Sequence, residues 1–256
     1  MNPATTIPRG PFQGVAEIIS FNRHWYVGGA VAILAATTAL AMFDWPVQIR
    51  VATIIALAIA VLWSVMSLAV SHWVYDRSPL RDWMWIKGAL LTEPKRWCNI
   101  HCGLDESSAS LKEIFPEAEA VVLDIFDPVE MTEPSIARAR AMFPCNRALP
   151  ADFQKLPIES GSSDAVLLLF AAHELRKRPA REQLMTEVRR VLCVGGEAIV
   201  AEHLRDFPNF CAFGPGAFHF FSRREWRRIF AAADFQCRRE FNITPFVRVF
   251  VLRKES

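Results

Sequence analysis

The sequence predicts an α/β domain built on a mostly parallel sheet covered on both faces, with an antiparallel strand added at its C-terminal end. An α-helical transmembrane hairpin precedes it. Three observations carry this expectation. From residue 95 onward, short apolar runs alternate with helical patterns, the signature of βαβ units. A run that breaks at Gly103 is followed by a helical segment and by a second run ending in Asp124. Open α/β sheets hold nucleosides in this way: the backbone approaches the ligand at the glycine, and the carboxylate accepts hydrogen bonds from ribose hydroxyls. Ahead of that domain lie two uncharged apolar stretches, residues 27–43 and 51–70.

Each stretch is long enough to cross a bilayer core, which takes roughly 20 helical residues. The segment between them, Asp44-Trp-Pro-Val-Gln-Ile-Arg50, is too short for a domain and carries one basic residue, whereas Arg9 and Arg23 precede the pair and Arg77, Arg81, Lys87, Lys95 and Arg96 follow it. The positive-inside tendency then predicts an inner-membrane protein with two spans, with both termini and the large C-terminal part in the cytoplasm. Trp25, Tyr26, Trp45, Trp73, Tyr75, Trp83 and Trp85 fall near the expected interfaces, where amphipathic rings favour the headgroup level. Two buried helices of a soluble core are the alternative, disfavoured by length and lack of charge. A cleaved signal peptide fits worse, because a second apolar run follows the first at once.

The expected organisation is an N-terminal tail or surface helix (residues 1–24), the hairpin (25–75), a juxtamembrane linker (76–94) and the α/β domain (95–256). With 29 Lys and Arg against 27 Asp and Glu, no strong field points to nucleic acid. Six cysteines, at 98, 102, 145, 193, 211 and 237, include no C-x-x-C pair and no zinc-ligand spacing, so neither a disulfide nor a metal is predicted. Oligomeric state is not encoded legibly.

Within the domain, strands are expected at residues 97–102, 120–123, 165–170 and 197–201, with a short one near 146–149. Helical signals cover 107–115, 133–142, 178–192 and 223–233. The helix at 178–192 is clearest, with Leu184, Val188, Val191 and Leu192 on one face and Gly195-Gly196 as its stop. Two β-like runs, 236–241 and 246–252, form a terminal hairpin around Asn242-Ile-Thr-Pro245.

Several ordered motifs in residues 95–253 together resemble the class I S-adenosylmethionine-dependent methyltransferases, in the branch that modifies quinones, sterols and lipids. Asn99-Ile-His-Cys-Gly103 stands where that family has Asp-x-Gly-x-Gly, Asp124 stands at its ribose-binding acid, and Ser135-Ile-Ala-Arg-Ala-Arg140 is similar to the helix that follows. Asp152 with Leu156-Pro157 resembles the loop whose acid meets the adenine amino group. Ser163-Asp-Ala-Val166 through Ala172-His-Glu-Leu175 resembles the fourth strand and its following motif. Glu187-Val-Arg-Arg-Val-Leu-Cys-Val-Gly-Gly196 resembles the family signature Glu-x-x-Arg-Val-Leu-x-Pro-Gly-Gly. The resemblance implies a Rossmann-like fold, S-adenosyl-L-methionine as cofactor, and a cofactor site drawn from His101, Cys102, Gly103, Asp105, Asp124, Ile125, Asp152, Phe153 and Phe170. His101 and Asp105 replace two family glycines. His101 either fills part of the methionine pocket or turns away, and Asp105 either pairs with the ligand's ammonium or repels its carboxylate.

Methyl transfer discharges a sulfonium by in-line displacement, so a protein mainly aligns the reactants and excludes water; a base is needed only for a protonated acceptor. His173 and Glu174 follow the fourth strand, and Glu202-His203 follows the fifth in the equivalent place. An imidazole with a pKa near working pH can take a proton there, while the alternative is a packed histidine bonded to a backbone carbonyl. Residues 207–221 hold six Phe broken by Gly214-Pro-Gly216, too interrupted for one helix. Phe213, Phe218, His219 and Phe221 are the expected wall of a pocket for a lipophilic acceptor. The basic run Arg223-Arg224-Glu-Trp-Arg227-Arg228 is either a solvated helix face or a contact for membrane lipid. The expected activity is transfer of a methyl group to a lipid, quinone-like or polyketide intermediate at the membrane. A non-catalytic scaffold of the same fold, or a non-methylating enzyme, is the alternative.

Overall fold

A computed structural model describes residues 10–143 and 147–256, so Arg9, Cys145 and Asn146 lie outside the described residues. The chain begins with helices α1 (Gln13–Phe21), α2 (Arg23–Met42) and α3 (Val47–His72). The second and third are long and apolar enough to cross a membrane, and nothing in the protein buries their most apolar windows. α3 does not stop where its apolar stretch does: it runs into a π-helical turn, Trp73–Arg77, then a 3-10 turn, Pro79–Asp82, and α4 (Trp85–Ala89).

Among the described residues seven strands form one sheet: β1 (Arg96–His101), β2 (Glu119–Asp124), β3 (Leu149–Pro150), β4 (Ser163–Leu169), β5 (Leu192–His203), β6 (Gln236–Thr244) and β7 (Val247–Arg253). Their order is β3-β2-β1-β4-β5-β7-β6. The first five are parallel, and β7 runs antiparallel between β5 and β6. The order reverses between β1 and β4, which places the switch-point crevice beyond His101 and Leu169. α5 (Ser108–Ile114), α6 (Pro134–Met142), α7 (Arg178–Val191), α8 (Phe207–Phe213) and α9 (Arg223–Ala232) complete the domain.

Period-2 alternation divides the sheet's side chains between two cores. Cys98, Ile100, Val166, Leu168, Ala198, Val200, Phe250 and Leu252 face the buried stripes of α7 and α9. On α7, Leu184, Val188 and Val191 recur at helical spacing and are fully buried, as their pattern predicts. Trp97, Ala165, Leu167, Ile199, Val249 and Val251 face the other way, toward Val74, Leu80, Trp83, Ile86 and Ala89. The segment after α3 is therefore half of a core, packed flat on the sheet. Its apolar residues are spent on the domain, at a gain of roughly 2 kcal/mol for each large side chain buried.

Two expectations shift in detail. Gly195-Gly196 lies inside β5 instead of ahead of the strand: Gly195 N donates to Lys254 O, Lys254 N donates to Gly196 O, and Leu192 pairs with Ser163 of β4 across a register shift, which carries the strand back to Leu192. The stretch 207–221 forms α8 and a 3-10 turn, Gly214–His219, with Gly214 at φ +55° marking the break.

Helix α1 packs on the domain. The Asp76 carboxylate accepts from Gly14 N at 2.7 Å and Val15 N at 3.3 Å, satisfying orphan donors of the helix N-terminus. At the other end, Arg138 of α6 donates to Phe21 O.

Candidate active site

Parallel strands bring their carboxyl ends to one edge. His101 closes β1, Asp124 closes β2, Phe170 follows β4, and His203 closes β5. Above this edge lies a cavity of about 200 Å³, walled by His101, Cys102, Gly103 and Leu104 on one side and by Leu169, Phe170, Ala171 and Glu174 on the other. Its roof is Gly14, Glu17, Ile18 and Phe21 of α1, and Tyr75 closes the end nearest α3.

The altered glycine loop is held by side chains. Asn99, 2% exposed, donates to Asp105 Oδ1 at 3.2 Å, Ser107 Oγ at 2.9 Å and Ser108 Oγ at 2.8 Å. Asp105 Oδ1 also accepts from the backbone of Ser107 and Ser108 ahead of α5. Asp105 is thus fixed in its own turn. The His101 imidazole is 3% exposed, and its Nδ1 accepts from Gly103 N at 3.2 Å. Burial lowers its pKa, partly countered by the charges of Asp105 and Asp124, so it rests neutral beside the cavity. Gly103 sits at φ +151°, and a Cβ there would run into Cγ of Arg140, so only glycine fits.

Asp124 points toward Arg140: the Nη1 donates to both carboxylate oxygens, at 2.9 and 2.7 Å, and also to Cys102 O at 3.2 Å. The guanidinium carbon lies 4.2 Å from the centre of the Phe126 ring. Arg140 was not singled out by the sequence, where it reads as one more basic residue on a helix. Ile125 and Phe153 are buried in the core behind this pair, and Asp152 accepts from Gln154 N at 2.8 Å in a tight turn. Asp124, Ile125, Asp152 and Phe153 do not line the cavity, which belongs to the β1–β4 side of the edge.

On the β4–β5 side, Phe170 holds φ +56°, costing roughly 1–3 kcal/mol for a bulky residue. Its amide donates to Ala201 O at 2.9 Å, and its ring leans on His203 with 5.2 Å between centroids. His203 Nδ1 lies 2.8 Å from Phe246 O, an obligate acceptor, so Nδ1 carries the proton. Nε2 is then the acceptor, and the Tyr75 hydroxyl 2.7 Å away donates to it. Burial drives the His203 pKa down to about 4. The imidazole is a neutral acceptor that meets the cavity through Tyr75. Tyr75, delivered by the extension of α3 from 128 residues earlier in the chain, is the site residue sequence reasoning left at a membrane interface.

His173 differs. Burial opposes its charge, but the Glu202 carboxylate and the hydrogen bonds that the ring donates to Glu174 and Glu202 raise its pKa to about 10. Nδ1 lies 2.7 Å from Glu202 Oε2, and Nε2 lies 3.4 Å from Glu174 Oε1. Held protonated, it does not have the pKa near working pH that the base role assumed. Glu174 is held below its ordinary pKa by His173 despite its own burial.

Phe213, Phe218, His219 and Phe221 do not line this cavity, although His219 comes within 4.8 Å of Glu174, which does. Phe221 packs in the first core under Arg181, whose guanidinium carbon is 3.6 Å from the ring centre. Phe218 is exposed. Phe213 lies 5.7 Å from the His203 ring and, with Gly214 and Pro215, faces a groove between α2 and α3 of about 690 Å³. Trp63 of α3 crosses that groove's end, donating to Cys211 O at 2.8 Å.

An open sheet of this order, with a glycine turn after β1 and an acid ending β2, defines a nucleoside-binding α/β fold. Comparison with known proteins narrows the class. Residues 99–200 match the model of a methyltransferase domain family. A demethylmenaquinone methyltransferase of Thermus thermophilus is 34% identical over 114 residues, covering 44% of this chain and 50% of that protein, so the chain spans about half the length of this relative. Among solved structures, a SAM-dependent methyltransferase from Aquifex aeolicus superposes with TM-score 0.50 at 14% identity over 67% of this chain and 88% of that one. The pyocyanin biosynthetic protein PhzM does so with TM-score 0.51 at 15% identity, over 73% and 57%. These likenesses are to the fold. From β1 onward the chain has the fold of the class I methyltransferases, whose cofactor is S-adenosylmethionine, and residues 99–200 within it carry the methyltransferase-domain match.

The residues present fit that cofactor: Gly103 leaves the backbone bare where a Cβ has no room, and a charged carboxylate closes β2. Asp124, with the loop at Asp152, would hold the adenosine half, and the His101–Leu104 turn with Phe170 the methionine half. The cavity is smaller than the roughly 300–1,000 Å³ usual for ligands of this size, so Arg140 and α1 must yield for the whole ligand to enter.

Proposed function

We propose that the protein is a membrane-anchored S-adenosylmethionine-dependent methyltransferase acting on a hydrophobic small molecule of quinone-like or lipid type. In this reading α2 and α3 form the transmembrane hairpin of an inner-membrane protein, with the catalytic domain on the cytoplasmic side. The carrying observation is that α3, apolar from Val51 to Val70, continues without a break into the turn that puts Tyr75 at the cavity. The groove between α2 and α3, lined by Ala and Gly with Trp25, Tyr26 and Trp63, ends at Phe213, beside the same His203. An apolar acceptor leaving the bilayer along it would arrive at the sheet edge without crossing water. The menaquinone precursor methylated by the Thermus relative is of that chemical type.

The bound cofactor supplies a methyl group on a sulfonium. The chain's own part is to orient and to exclude water: α1 roofs the cavity, Phe170 and Leu169 wall it, and Tyr75 presents a hydroxyl whose proton is committed to His203. An acceptor hydroxyl can donate to the Tyr75 oxygen, whose own proton is held by the neutral Nε2 of His203, so this pair orients the acceptor; with a pKa of about 4, His203 is a weak base and its part is positioning.

The ion pair of Arg140 with Asp124 favours a second reading, a domain that keeps the fold without turnover. Full-length protein in detergent, incubated with methyl-labelled cofactor and a bacterial quinone and lipid extract, separates the two. Label in the apolar fraction supports the enzyme. No label, together with no cofactor binding, favours the scaffold.

A further inference from the structure

We propose that His173, Glu174 and His219 form a binding site for one divalent metal ion of the zinc type, with its open position toward the cavity. The three residues each offer a ligand atom, and these atoms lie within 4.8 Å of one another. His173 Nε2 and Glu174 Oε1 stand 3.4 Å apart, long for a hydrogen bond. That separation is the edge of a tetrahedron: two ligands about 2.1 Å from a tetrahedral zinc are about 3.4 Å apart. Octahedral ligands at similar bond lengths stand only about 3.0 Å apart, which disfavours an iron-type facial triad. The remaining adjustment is of His219, which sits on the 3-10 turn Gly214–His219.

Four further features belong to a built site. Glu202 Oε2 holds Nδ1 of His173 at 2.7 Å, the carboxylate–histidine arrangement that aims Nε2 at a metal. Glu133 Oε1 stands 3.5 Å from Nδ1 of His219. Arg176 Nη1 donates to the backbone oxygens of both His173, at 3.1 Å, and His219, at 2.8 Å, so one guanidinium fixes the two ligand-bearing segments to each other. Glu174 Oε2 is buried with no hydrogen-bond partner, a vacancy in bonding that a cation fills. Glu174 also lines the cavity, which gives the fourth coordination position an opening to an acceptor oxygen. The metal takes the place of a proton between His173 and Glu174, and two histidines with one carboxylate are a known zinc donor set. The ligands are 46 residues apart, so no local spacing reveals them.

The test is cobalt(II), added alone to the full-length protein in detergent after chelator treatment. One equivalent is expected to bind with the intense visible bands of a tetrahedral ion, and zinc to displace it. Glu174→Gln and His219→Ala should each weaken binding at least tenfold, and Glu202→Gln about tenfold, with melting curves confirming that the variants fold. Should His219→Ala not fold, Glu174→Gln decides. Absence of the bands in the native chain, or unchanged affinity in Glu174→Gln, overturns the site. Neither cofactor nor acceptor is present in the titration, so its outcome is independent of whether the protein transfers methyl groups.

Discussion

The two sides of the sheet's carboxyl edge are built in opposite ways. On the β2 side the central ion pair is local: Asp124 ends a strand, Arg140 lies 16 residues on, and the pair closes over Gly103. On the β5 side the main contacts are distant: Tyr75 meets His203 across 128 residues, and His173 meets Glu202 across 29. The β2 side stores a charge in a form that one side-chain movement releases. The β5 side buries neutral and charged imidazoles among partners they cannot leave. The lesson is a division of labour, with an ion pair over the glycine turn where the proposed cofactor would bind and a connected polar network where the proposed acceptor would arrive.

The largest expected effect is on the β5 side and is read as pH. His203 has a folded pKa of about 4 against about 6.5 in an unfolded chain. Between these values the unfolded chain binds a proton that the folded one refuses. The associated stability is full above about pH 6.5 and is lost as pH falls toward 4, at about 1.4 kcal/mol per unit and about 3 kcal/mol in all. Melting temperatures from pH 7.5 to 4.5, compared with His203→Gln, should show a steeper fall in the native chain. Parallel curves would remove the neutral, buried imidazole from the account.

On the β2 side, Asp124→Ala should weaken cofactor binding by about 1–3 kcal/mol, the usual loss for a charged acceptor. Arg140→Ala should move the other way, tightening binding because the carboxylate no longer has to be freed, provided the fold is kept. If both variants weaken binding equally, Arg140 is part of the ligand site and not a clamp over it. Tyr75→Phe leaves Nε2 of His203 buried without its donor, at a cost of about 1–2 kcal/mol in stability, and should lower turnover more than cofactor affinity. Equal turnover would detach the α3 extension from the chemistry. The smallest effect is at the roof. Asp76→Ala removes the acceptor for Gly14 N and Val15 N and should loosen α1 by about 1 kcal/mol, seen as faster amide exchange confined to residues 13–21.

The sequence was most readable where a signal repeats along the chain. Short apolar runs placed β1, β2, β4 and β7 within two residues but missed the first five residues of β5, the spacing of Leu184, Val188 and Val191 placed α7, and the terminal β-runs placed the β6–β7 hairpin. Asp124 was legible because a strand-ending acid is a local pattern. What pairing does across the fold was not legible. Arg140 looks like any helix arginine until its stem is seen crossing Gly103, Tyr75 looks like an interface aromatic until the π-helical turn aims it inward, and α1 carries no mark of the Asp76 carboxylate 62 residues away. The linker's Trp83 and Trp85 read as interfacial because an aromatic residue next to a long apolar run looks the same in sequence whether a bilayer or a sheet covers it.

The most direct measurement is calorimetric titration of S-adenosylmethionine into the full-length protein in detergent, run beside Asp124→Ala. One saturable site in the native chain, weakened tenfold or more by the substitution, is the predicted result. A folded protein that takes up no cofactor even after Arg140→Ala would contradict it, leaving the sheet edge a sealed structural feature.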